Sequence, residues 1–176
     1  MTRTSIVLVL VVLALALAAC DTHTTATAST AAPNQLDAKQ AKLLATAVSA
    51  DVMTQSKNWN ADPENDGIIV YPNLKDDNDH TVLFTGVTLP VEITIYTLET
   101  DDNYREVQGR NIYSGNGTID SWKDGNFLYS GGIRVAYTDM TTQPADRDYG
   151  RLYATIHTPD GKNFTAKTDL VNIRAS

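Results

Sequence analysis

Hydrophobic and polar positions follow four successive regimes along the chain. The first is an unbroken apolar run over 6–19, preceded by a single charge at Arg3. A helix needs roughly 20 apolar residues to cross a bilayer, so this run has the length and flank of a secretion signal. The second regime, 21–35, is dominated by threonine, alanine and serine and holds no large apolar side chain. Nothing in it offsets the entropy of folding, so it reads as a tether, with a coil-like reach of roughly 20 Å. In the third, 36–56, glycine and proline are absent and alanine, leucine, lysine and glutamine are frequent. Leu36, Leu43, Ala47 and Ala50 share one helical face, with Leu44, Val48 and Val52 beside it. A helix over 36–57 is therefore expected, as a stalk or docked on the domain that follows.

From Trp59 the period changes from helical to alternating. Short β-branched and aromatic runs, separated by Gly, Asn, Asp and Pro clusters, predict strands at 68–71, 81–84, 87–98, 111–114, 127–129, 133–137, 151–158 and 163–173. In the longest run, Val87, Leu89, Val91, Ile93 and Ile95 point one way and Glu92, Thr94 and Tyr96 the other, as a half-buried strand requires. Pro90 cannot donate to a ladder, which places a bulge or an edge there. The stretch 157–164, with Pro159-Asp160-Gly161 at its centre, is the clearest hairpin. Seven or eight antiparallel strands over 58–176 predict a single β-sandwich preceded by one helix. In pattern this region resembles immunoglobulin-like sandwiches without the cysteine pair of antibody domains; fibronectin-type, transthyretin-like and C2-like variants stay open.

Composition narrows the partners. A chain of 176 residues, 42% hydrophobic and 20% charged, has room for one well-cored domain. Its net charge of -7 argues against nucleic acid, which would require basic patches to displace counterions. The chain's one cysteine, Cys20, directly follows the apolar run. The sequence Leu17-Ala18-Ala19-Cys20 resembles the lipobox of prokaryotic lipoproteins. That resemblance implies cleavage before Cys20 and a diacylglyceryl group on its thiol, holding the protein on a cell membrane and facing the periplasm or the exterior. Two acyl chains anchor durably where one is marginal. Asp21, after the cysteine, implies inner-membrane retention in a Gram-negative host. A modified Cys20 leaves no thiol for a disulfide, a metal or nucleophilic catalysis.

Motifs for catalysis are missing from the sequence: it has no G-x-S-x-G elbow, no H-E-x-x-H and no phosphate-cradling glycine loop. The three histidines, His23, His80 and His157, are far apart, with His157 on the outward side of its strand. Asp62, Glu64 and Asp66 alternate before Gly67 and resemble the front half of an EF-hand-type calcium loop. This resemblance implies side-chain ligation by the three acids and a backbone ligand at Ile68. Asn73 stands where that loop has a bidentate glutamate, and the following residues read as a strand. A second calcium geometry brings the 62–66 loop to Asp101 and Asp102, provided the strands at 68–71 and 87–98 are antiparallel neighbours; C2-like and cadherin-like domains gather carboxylates in this way. Asp, Asn and Gly are also ordinary turn formers. Asn116 and Asn163 begin glycosylation sequons whose use depends on the host. Tyr96, Tyr129 and Tyr153, with Trp122, form a candidate outer-face patch for a protein or carbohydrate ligand. The expected function is non-catalytic binding at a membrane surface, without a cofactor unless calcium is bound. The alternatives are a calcium-dependent adhesive module and a small envelope hydrolase using loop carboxylates.

Overall fold

The structure, a computed structural model, describes residues 36–121 and 131–175. Cys20, the expected tether with His23, and the predicted strand at 127–129 with Trp122 and Tyr129 lie outside the described residues.

A short helix, α1 (Ala38–Ala45), opens the domain. Asp37 caps it by accepting a hydrogen bond from Lys39 N, and Leu44 is buried beneath it. The helix ends at Thr46, whose hydroxyl donates to Leu43 O at 2.7 Å. The expected continuation to residue 57 is corrected: Ser49–Lys57 is strand β1. Its burial alternates, with Ala50, Val52, Thr54 and Ser56 turned inward. Nine consecutive positions pair with a neighbouring strand, from Ser49 opposite Lys75 to Lys57 opposite Gly67. That ladder outweighs the modest helix propensity of the segment.

The partner is β2 (Gly67–Lys75), buried on both faces. Ile68, Val70 and Leu74 enter the core, while Trp59 and Gly132 lie against the other face near Gly67, Ile69 and Tyr71. The remaining strands are β3 (Thr85–Thr100), β4 (Glu106–Ser121), β5 (Ile133–Ala136), β6 (Tyr149–His157) and β7 (Asn163–Asn172). They form two antiparallel sheets, β1-β2-β5 and β4-β3-β6-β7. This is the β-sandwich the pattern predicts. Side chains from both sheets, among them Val70, Val135, Leu89, Ile93, Ile95, Leu152 and Ile156, make one core.

Two local expectations are met and one is not. Pro90 pairs with Thr118 of β4, but pairing of β3 with β6 begins only at Val91, so the proline occupies a stretch bonded on one side. The 157–164 hairpin closes through Gly161 N to Thr158 O at 2.9 Å, with Gly161 at φ +82. Residues 81–84, expected as a strand, make only a single bridge at Thr81 opposite Lys75. Val82 and Phe84 instead plug the end of the core, while Leu83 points out.

Candidate binding face

Strand periodicity builds the outer face of the four-stranded sheet. In β3, Leu89, Val91, Ile93 and Ile95 fill the core, leaving Glu92, Thr94 and Tyr96 outside. In β6, Gly150, Leu152, Ala154 and Ile156 turn inward, leaving Tyr149, Arg151, Tyr153, Thr155 and His157 half-buried on the face. Two of the predicted patch tyrosines therefore meet: the Tyr96 and Tyr153 rings are edge to face, 5.9 Å apart. Tyr153 donates its phenol to Gln108 Oε1 at 2.9 Å.

Around this pair the face is cross-linked by polar contacts. Arg151 Nε donates to Asp169, and Lys167 lies 3.5 Å from the same carboxylate. The Arg151 hydrogen bond holds the Asp169 carboxyl below its ordinary range. His157 Nδ1 is 2.8 Å from Asn163 Oδ1. Its Nε2 lies 3.3 Å from Glu92 Oε1 without a hydrogen bond between them. The Thr155 and Thr165 hydroxyls share a 2.9 Å hydrogen bond. Between β3 and β4 a groove of about 240 Å³ is lined by Glu92, Thr94, Ser114 and Asn116. Such a surface presents rigid aromatic and arginine side chains on central strands.

The carboxylates of the acidic loops accept hydrogen bonds from their own loops. Asp66 Oδ2 accepts from Trp59 N at 2.6 Å and Asn60 N at 3.1 Å, and its Oδ1 accepts from Asn60 Nδ2 at 2.5 Å. Asp62 Oδ1 accepts from Glu64 N at 3.2 Å, and Asp62 N donates to Asn60 Oδ1 at 2.7 Å. These are chained Asx turns, in which alternate Asn and Asp side chains serve the loop's own backbone. Ile68 is 1% exposed and its backbone lies in the ladder between Ser56 and Val135, so it is not placed as a carbonyl ligand. Asp101 Oδ1 accepts from Asn103 N and Arg105 N, both at 2.9 Å, and its Oδ2 accepts from Arg105 Nη2 at 2.8 Å. Led by the Arg105 backbone bond, these contacts hold its carboxyl below the ordinary range. The premise of the second geometry is corrected as well, since β2 and β3 belong to different sheets. Among the described residues, no three carboxylate or histidine groups, Asp102 included, converge on a point that would hold a metal ion. Asp76, in the acidic turn at the far end of β2, is likewise spent on His80 N and Asn78 N.

Both sequons lie in regular strands. Asn116 pairs opposite Glu92 in β4, and Asn163 opposite His157 in β7. Sequence reasoning missed Tyr149, although extending the period-2 pattern of β6 by one step finds it. It also missed the three arginines that bind the 140–148 segment to its surroundings. Arg110 reaches Asp146 Oδ2 at 2.8 Å, Arg147 reaches Glu106 Oε1 at 2.8 Å and lies over the Tyr149 ring, and Arg174 donates to Gln143 O. No spacing in the sequence marks contacts that link positions so far apart.

The fold is an antiparallel β-sandwich of one three-stranded and one four-stranded sheet. No family model matches the chain, and comparisons with curated proteins and with solved structures find no match.

Proposed function

We propose that this protein is a lipid-anchored, extracytoplasmic binding module that engages a protein or carbohydrate partner through the outer face of its four-stranded sheet and performs no catalysis. The observation that carries the binding role is the Tyr96–Tyr153 pair, set with Tyr149 and Arg151 on the two central strands. Tyrosine and arginine supply contact area with little ordering cost, and they dominate binding energy where surfaces meet. The lipobox resemblance at Cys20 supports the anchoring. Among the described residues, the carboxylates whose acidity departs from the ordinary, Asp76, Asp101, Asp160 and Asp169, depart downward, whereas a general acid needs the opposite shift.

Two measurements test this. Intact mass spectrometry of protein from its native membrane is expected to give a chain beginning at Cys20 and carrying a diacylglyceryl group; an uncut, unmodified chain overturns the anchoring. A photo-crosslinking amino acid at Thr94 is expected to capture a partner on native membranes, and the capture should vanish in a Tyr96→Ala, Tyr153→Ala variant with unchanged melting. Capture that survives that variant overturns the binding face.

A further inference from the structure

Sheet edges carry unpaired N–H and C=O groups, and soluble proteins blunt them with charges, prolines, bulges, short strands or covering segments. The β1 edge runs beside β7, where Asn172 Nδ2 donates to Ser56 Oγ at 2.8 Å. Strand β5 has only four residues and carries Arg134. Strand β7 bears Lys167 and Asp169 and breaks its register next to Leu170, which has φ +61. The fourth edge, β4, is sixteen residues long. Its lower part is covered, because Thr141 N donates to Ile112 O at 2.9 Å and Arg110 Nη1 to Thr141 O at 2.7 Å. Residues 113–119 are different: they hold no charge and no proline, and among the described residues only β3 pairs with them.

The sequence of this stretch is chemically two-fold. It reads Tyr113-Ser114-Gly115-Asn116-Gly117-Thr118-Ile119. Antiparallel pairing of two such strands about Asn116 sets Ser114 opposite Thr118, Gly115 opposite Gly117 and Tyr113 opposite Ile119. The first and last are hydroxyl–hydroxyl and aromatic–β-branched pairs, which stabilise a ladder, the glycine pair adds no side-chain contact, and no like charges meet. Ser114, Asn116 and Thr118 are exposed, so their side chains stand clear on the outer face. The glycines keep the strand slim: a methyl at 115 would lie 2.2 Å from the Tyr113 hydroxyl and one at 117 would lie 2.6 Å from Ile133 Cγ2.

We infer that two copies of this chain pair edge to edge along residues 113–119 of β4, with the two-fold axis at Asn116, joining their four-stranded sheets into one of eight strands. The contact is isologous, as in most homodimers, and leaves the Tyr96–Tyr153 faces of both copies on the same side of the joined sheet. It goes beyond the binding role proposed above and does not depend on the lipid anchor.

Directly opposed residues of an antiparallel pair have Cα atoms about 4.5–5.5 Å apart, within reach of a disulfide. Full-length Asn116→Cys protein under mild oxidation is therefore expected to run at twice the chain mass on a non-reducing gel. Wild type, which retains Cys20, and a Lys167→Cys variant on the β7 edge should not. Asn116→Lys sets two like charges across the axis and is expected to raise the half-dimerisation concentration roughly tenfold in sedimentation, with unchanged melting. Should Asn116→Cys misfold, Ser114→Cys mixed with Thr118→Cys tests the same register, since those positions oppose each other only between copies. A wild type that sediments as a monomer, or cysteines at 116 or at 114 and 118 that link no better than the one at 167, would overturn the inference.

Discussion

Gly67→Ala probes the tightest backbone approach in the smaller sheet. A methyl at 67 would stand 2.2 Å from Val135 O, 2.5 Å from Trp59 Cη2 and 2.9 Å from Ala136 Cα. Ordinary carbon contacts lie near 3.5 Å, so the methyl demands a shift of about 1 Å. Two of the three obstructing atoms belong to the backbone, which cannot rotate away. Gly67 is also tied on both sides, opposite Lys57 and opposite Ala136, and its neighbour Asp66 donates to Lys57 O at 3.0 Å. Overpacking of this kind costs about 1–3 kcal/mol, and loss of one ladder hydrogen bond adds about 1 kcal/mol. The expected destabilisation is thus about 2–4 kcal/mol, a fall of roughly 10 °C in Tm for a domain of this size. Gly117→Ala is the control, because its methyl meets only the side chain of Ile133, at 2.6–2.8 Å. A rotamer adjustment there costs about 0.5–1.5 kcal/mol. Urea unfolding followed by tryptophan fluorescence measures both variants, with Trp59 packed on Gly67 as a local reporter. A Gly67→Ala variant as stable as wild type, or less perturbed than Gly117→Ala, refutes the packing described for β2 and β5.

Three further outcomes follow from the same structure. Phe84→Ala removes a side chain that is 0% exposed and should cost about 3–5 kcal/mol, whereas its neighbour Leu83→Ala, 48% exposed, should cost under about 1 kcal/mol; chemical denaturation separates them. Asp76, Asp101, Asp160 and Asp169 are more acidic in the folded chain than the ordinary carboxylate, so their contribution is full above about pH 4 and is lost as pH falls through their lowered values. Melting should hold steady from neutral pH to about 5 and drop below about 4, and Asp101→Asn should lower Tm at neutral pH while making the acid decline shallower. Because the acidic loops spend their carboxylates internally, chelator and millimolar calcium should give the same melting curve; a stabilisation near 2.7 kcal/mol, that of a site at 100 times its Kd, would support the calcium reading instead.

Where a segment's own side chains decide its structure, the sequence was informative. The alternation in β3 and β6 and the Pro159-Asp160-Gly161 turn are local signals, and each appears where expected. Strand β1 misleads because alanine, lysine, glutamine and methionine favour a helix, and its partner β2 is visible only in three dimensions. Strand β4 extends well beyond the expected 111–114, since its alternate glycines and polar residues carry no apolar period. For the candidate face, outward placement of Tyr96 and Tyr153 was readable from period 2. Their contact with each other and the reach of Tyr153 to Gln108 depend on cross-strand register, which no single strand encodes. The acidic loops show the reverse: spacing reveals the acids, but only the fold shows that backbone N–H groups and Arg105 occupy them.

The direction in which β1 enters the sandwich decides which loops share a pole. Helix α1 and the start of β1 lie at the pole where Gln40 accepts from Thr85 N, whereas the 58–66 loop and the 101–105 turn lie at the opposite pole. A nine-residue strand separates the two by about 30 Å. Tyr104, 92% exposed and at φ +59 in the Asp101 turn, stands at the second of these poles and presents its ring to solvent there.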